Sequence, residues 1–259
     1  GQGFFKWYGG TYRNVLRDFS HLFVQNELSK RFLAKIGIQQ VTVVGDTRFD
    51  RVLQIRDEAK DLPLVERFKN GATTFIAGSS WQPDEDLFID YFNNHPEVKM
   101  IIAPHVIDEN HLVEITGKLK RPYVFYTRAD ERNIAKADCL IVNCFGLLSS
   151  IYRYGEIAYI GCGFGVGIHN TLETAVYGIP VIFGPMYQNF QEAVVLIESG
   201  GAYSIKNREE LYGLLDRLLA DETFRKEAGA KAGAYVTGHA GATDKILGMI
   251  PFGSPGVSE

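Results

Sequence analysis

The sequence is short of cysteine, has no surplus of positive charge and contains no long apolar run, and each shortage narrows what the chain can be. Its three cysteines, Cys139, Cys144 and Cys162, are odd in number and lack CxxC spacing. Neither a disulfide framework nor a zinc knuckle is suggested, and a reducing setting is expected. Lys and Arg number 27 against 31 Asp and Glu, a net charge of -4. With no overall basic field, wrapping nucleic acid by counterion release is not the expected activity. No apolar stretch approaches the roughly 18–20 residues of a membrane-spanning helix, and no signal-peptide pattern opens the chain. The first residue is glycine rather than methionine, and the expectation is a piece of a longer protein.

What is present suits a large core: 46% of the 259 residues are hydrophobic and 22% charged, enough for one full domain and part of another. From residue 73 onward, apolar β-rich runs at 74–77, 99–103, 123–126, 140–142, 157–160 and 181–183 alternate with helical patterns such as 84–94 and 108–118. The runs lack strict period-two alternation, as strands buried on both faces should. Repeated βαβ units then predict an α/β domain with a doubly wound, mostly parallel sheet. Residues 22–25, 27–36 and 41–44 read as strand, helix, strand, the end of a preceding α/β domain. The expected divisions are 1–50 for that end, 51–72 for an interdomain connection, 73–250 for the complete domain and 251–259 for a disordered tail.

The segment Tyr159-Ile-Gly-Cys-Gly-Phe-Gly-Val-Gly-Ile-His-Asn-Thr-Leu-Glu173 runs from a strand through glycines into a helix. Gly163, Gly165 and Gly167, with Phe164 among them, would let backbone amides approach an anion. Asn170 or Thr171 can cap the helix, whose first turn favours a phosphate. Glu173 can accept hydrogen bonds from ribose hydroxyls. The competing reading is that the glycines only permit tight strand-to-helix packing. The spacing is not GxGxxG, which disfavours a nicotinamide dinucleotide.

Gly167-Ile-His-Asn-Thr-Leu-Glu-Thr-Ala175, then Gly178-Ile-Pro-Val-Ile-Phe-Gly-Pro185 and Asn189-Phe-Gln-Glu192, resemble in order and spacing the GxHNxLE, GxPVIxGP and NFxE pattern of the transferases that attach Kdo to lipid A. Phe23-Val-Gln-Asn-Glu27, Gly45-Asp-Thr-Arg-Phe-Asp50, Ala77-Gly-Ser-Ser-Trp81 and Ile102-Ala-Pro-His105 extend the resemblance to about Ile250. It implies the GT-B arrangement of two Rossmann-like domains, with this chain holding the end of the acceptor domain and all of the donor domain. It implies CMP-Kdo as donor, a lipid A precursor as acceptor, inverting transfer without a metal or cofactor, and a general base upstream of this chain, so that the piece alone is expected to be inactive. The parent protein would work on the cytoplasmic face of the bacterial inner membrane, where Phe4, Phe5, Lys6, Trp7 and Tyr8 could border the lipid.

The same resemblance assigns Arg48 to the donor phosphate and the leaving CMP; the alternative is an ion pair with Asp46 or Asp50. Ser79, Ser80, Pro104, His105, Gly146 and His169 complete the implied donor site. His105 stands where many related sequences carry arginine, and Asn143 and Cys144 stand where they more often show aspartate and asparagine. His95, Asp108, Glu109 and His111 have no metal-ligand spacing and read as a solvated helix face. Tyr152, Arg153 and Tyr154 read as packing and surface rather than a base-stacking platform. Two other classes stay open: a UDP-sugar transferase or epimerase of the same fold, and a non-catalytic nucleotide-binding module.

Overall fold

The computed structural model describes residues 10–250. Two compact units divide the chain: the described parts of Gly1–Arg51 and Gly238–Glu259 form one, and Val52–Thr237 the other. The aromatic cluster at residues 4–8 and the tail at 251–259 lie outside the described residues.

In the first unit, β1 (Leu22–Val24) pairs in parallel with β2 (Val41–Val43). Between them the helix Glu27–Lys35 starts where the Asn26 side chain accepts the Ser29 N–H at 2.8 Å, a cap that satisfies a donor the helix cannot. Leu33, Ile38 and Val41 form its small core. The helix Ala242–Met249 belongs here, not to the donor domain where the 73–250 division placed it. The Asp50 carboxylate holds its start, accepting hydrogen bonds from Gly241 N and, at 2.7 and 2.8 Å, from Thr243 N and Oγ1. Residues 51–72, expected as the interdomain connection, complete the helix Thr47–Asp57 and form Pro63–Lys69, whose Val65 and Phe68 are fully buried.

The second unit carries a seven-stranded, wholly parallel sheet. Its strands are β3 (Thr73–Ser80), β4 (Val98–Pro104), β5 (Tyr123–Phe125), β6 (Cys139–Ile141), β7 (Ile157–Ile160), β8 (Val181–Phe183) and β9 (Ala202–Ser204), in the order β5-β6-β4-β3-β7-β8-β9. The six apolar runs read as strands from the sequence are strands, with β9 added, and the central ones are buried on both faces, which is why they do not alternate. Ile102, Ile141, Ile157, Tyr159 and Ile182 pack with Phe88 and Ile89 of the helix Gln82–Asn94 and with Leu211 and Leu215 of Arg208–Ala220. Each large apolar side chain so removed from water contributes about 1.5–3 kcal/mol.

The order places the reversal of winding between β3 and β7. The chain leaves β3 to one side through β4, β6 and β5, and from β7 builds to the other. In an open parallel sheet the crevice outside the carboxyl ends of the strands at that reversal is where a ligand fits.

Candidate donor-binding site

The carboxyl ends of β3 and β7 meet backbone to backbone. A bulge falls between Gly78 and Ser80, and Ser79 sits in the left-handed region at φ 54°, a costly conformation for a residue with a Cβ. Gly161 lies against it: a methyl there would stand 2.1 Å from the Ser79 carbonyl oxygen. Gly163 is pressed as closely on Gly184, at 2.4 Å from its nitrogen. Sequence spacing attributed these glycines to anion approach or to packing; at Gly161 and Gly163 packing is their structural role.

Beyond β7 the loop closes on itself. Gly165 and Gly167 donate their N–H groups to the Cys162 carbonyl at 3.0 and 3.3 Å, and the Cys162 N–H donates to Asp84 at 2.9 Å. Those three amides are therefore used inside the protein, which corrects the expectation that the glycine loop as a whole presents amides to an anion. The helix that follows is only Leu172–Ala175, too short to gather the dipole of a long one. Asn170, not Thr171, makes the side-chain cap, accepting the Leu172 N–H at 3.1 Å and donating to Glu173 at 3.0 Å. Glu173 is half-buried, and Gly146, beyond β6, turns at φ 82°.

Two acids that sequence reasoning passed over organise the mouth. Asp84 is buried and accepts from Tyr159 Oη at 2.8 Å, Cys162 N at 2.9 Å and Trp81 N at 3.0 Å. Burial pushes its carboxyl above the ordinary range, against the three donors that favour the charged form. The cue was Asp84 in the first turn after a strand; its tie to residue 162 had no sequence signal. Glu85, fully buried, accepts from Ser80 Oγ and lies 2.9 Å from His111 Nε2. Burial raises Glu85; burial opposes charge on His111, but the adjacent Glu85 carboxylate outweighs it and raises His111 too. His111 is thus part of a buried network rather than a solvated helix face, and Ser80 is committed to that network rather than offered to a ligand.

Three rings line the opening. Trp81 stacks on His105 at 5.1 Å between centroids, and His105 on His169 at 4.5 Å. Trp81 and His105 directly follow β3 and β4, and His169 comes from the loop after β7, so Ser79, Pro104, His105 and His169 converge at the reversal point. Beside them a cleft of about 200 Å³ is lined by Trp81, Pro83, Phe164 and Val166. Arg48 lies in the first unit, where it donates to Asp46 through its backbone N–H and Nε, both at 2.9 Å. That is the ion pair weighed as its alternative. No group of three His, Cys, Asp or Glu that could hold a metal occurs among the described residues, and none of their helices is long and apolar enough to cross a membrane.

No protein-family model matches the chain. It is 31% identical over 190 residues to the 3-deoxy-D-manno-octulosonic acid transferase of Aquifex aeolicus, covering 71% of this chain and 49% of that protein. The same enzyme of Rickettsia bellii is 25% identical over 84% of this chain and 53% of its own. The chain is a relative of the Kdo transferases. It spans about half the length of these curated relatives. Among solved structures, the C-terminal CMP-Kdo binding domain of WaaA from Acinetobacter baumannii matches with a TM-score of 0.57 at 18% identity, over 73% of this chain and 97% of that domain. Anabaena HepE in complex with UDP matches at 0.54 and 11% identity, over 93% and 68%. These likenesses establish the Rossmann-like α/β fold of GT-B glycosyltransferases.

Proposed function

We propose that the chain is the donor-binding part of a Kdo transferase and holds CMP-Kdo at the crevice between β3 and β7. The observation that carries this reading is the convergence of Ser79, Pro104, His105 and His169 at the point where the sheet's winding reverses, in a chain whose relatives are Kdo transferases. Glu173, in the short helix Leu172–Ala175, accepts ribose hydroxyls in this reading, and Gly146 borders the nucleotide. In the whole enzyme, a hydroxyl of the lipid A precursor attacks the anomeric carbon of Kdo as the bond to the CMP phosphate breaks, with inversion. A base outside this chain takes the hydroxyl proton. The groups around the crevice stabilise the departing phosphate without a metal, at the cytoplasmic face of the inner membrane.

Calorimetric titration of the chain with CMP, with UMP as control, tests this reading, because a ligand of the native state must also raise its melting temperature. CMP-selective binding weakened by Glu173→Ala supports it. Preference for UMP turns the assignment to a UDP-sugar enzyme, and binding of neither overturns the donor-site reading while leaving the fold standing.

A further inference from the structure

The stacked rings at the crevice have a property that an ordinary phosphate cradle of arginines lacks. His105 stacks on both Trp81 and His169, which leaves the ring edges for polar contact. His169 Nε2 is buried without a hydrogen-bond partner, a state a ligand oxygen would relieve. Two imidazoles 4.5 Å apart resist carrying charge together, and an anion between their edges removes that resistance. The other groups facing His169 are few. Asp84, from the helix after β3, lies near enough to favour its charge, but burial and His105 together prevail and depress it. Asp84 itself is occupied by three donors, and Glu173, on the same segment as His169, is engaged with Asn170.

Building on the donor-site reading above, we infer that the His105–His169 pair is a proton-coupled phosphate clamp, taking up a proton from solvent as the nucleotide phosphate binds. With the site empty His169 is held back from charge, and a phosphate at the ring edges pulls a proton into the stack. Donor affinity therefore falls as pH rises through the range where the bound pair loses that proton.

The test is calorimetry of the intact chain with CMP at about pH 7 and about pH 8.5, both above the phosphate monoester's own second ionisation near 6, in buffers of differing ionisation enthalpy. The expected result is about tenfold tighter binding at the lower pH, with a heat that tracks the buffer and reports net proton uptake. His105→Arg, with a permanent charge, should bind with a flat pH profile and no uptake. His105→Gln should bind at the lower pH no better than the unaltered chain at the higher. Equal affinity at both pH values with no buffer-dependent heat overturns the clamp while leaving the donor site intact. No CMP binding at either pH overturns the donor-site reading and the clamp with it.

Discussion

Asp84 and Cys162 are 78 residues apart in sequence, yet the Asp84 carboxylate accepts the Cys162 N–H at 2.9 Å. This bond ties the first turn of the helix after β3 to the glycine loop after β7, on either side of the sheet's reversal point. It fixes Cys162 in the left-handed region at φ 73°, from which the loop's inward-turned amides follow.

Removing that carboxylate should cost both stability and binding. Asp84→Ala leaves Cys162 N, Trp81 N and Tyr159 Oη without their acceptor in a buried place. A loss of about 3 kcal/mol in urea denaturation is expected, together with weaker CMP binding because the loop is released.

The glycines separate by what surrounds them. Gly161→Ala drives a methyl into the Ser79 carbonyl and Gly163→Ala into the Gly184 backbone, whereas at Gly165 the nearest atom is at 3.7 Å. The first two changes should destabilise by about 3 kcal/mol or more and the third by well under 1 kcal/mol, compared by thermal melting.

The buried Glu85–His111 pair gives stability a pH signature. Because the folded value of His111 is raised, its contribution is complete below the unfolded value of about 6.5 and is lost as pH climbs through the folded one. His111→Ala strands Glu85 and should cost about 3 kcal/mol at about pH 6. The gap from the unaltered chain should shrink toward about pH 9, measured by denaturation at both.

Asp50 has the opposite sign. Bonds from Gly241 and Thr243 outweigh burial and hold its carboxyl below the ordinary range, so its contribution is present above the unfolded value of about 3.9 and fades as pH falls through the folded one. Asp50→Asn should cost the helix Ala242–Met249 about 1 kcal/mol near neutrality, with faster amide exchange in that helix as the readout.

The strands were legible because burying both faces of a parallel sheet forces continuous apolar runs. The motif around residues 167–175 follows β7, beside the sheet's reversal point. What stayed hidden depended on partners remote in sequence: Asp84 with Cys162, Glu85 with His111, and the stack of Trp81 on His105 on His169. The helix Pro63–Lys69 was not read because its apolar spacing is brief, and Val65 and Phe68 declare it only through what they pack against. The placement of residues 242–249 was missed for the same reason, since Asp50 lies far upstream.

The most direct check of the donor-site account is a crystal structure of the chain with CMP bound. The phosphate should lie at the ring edges of His105 and His169, with the ribose toward Glu173 and the base bordered by Gly146. A nucleotide found instead in the polar cleft of about 390 Å³ lined by Asp108, Glu109, Thr116, Phe125, Arg128 and Asn143 would contradict it.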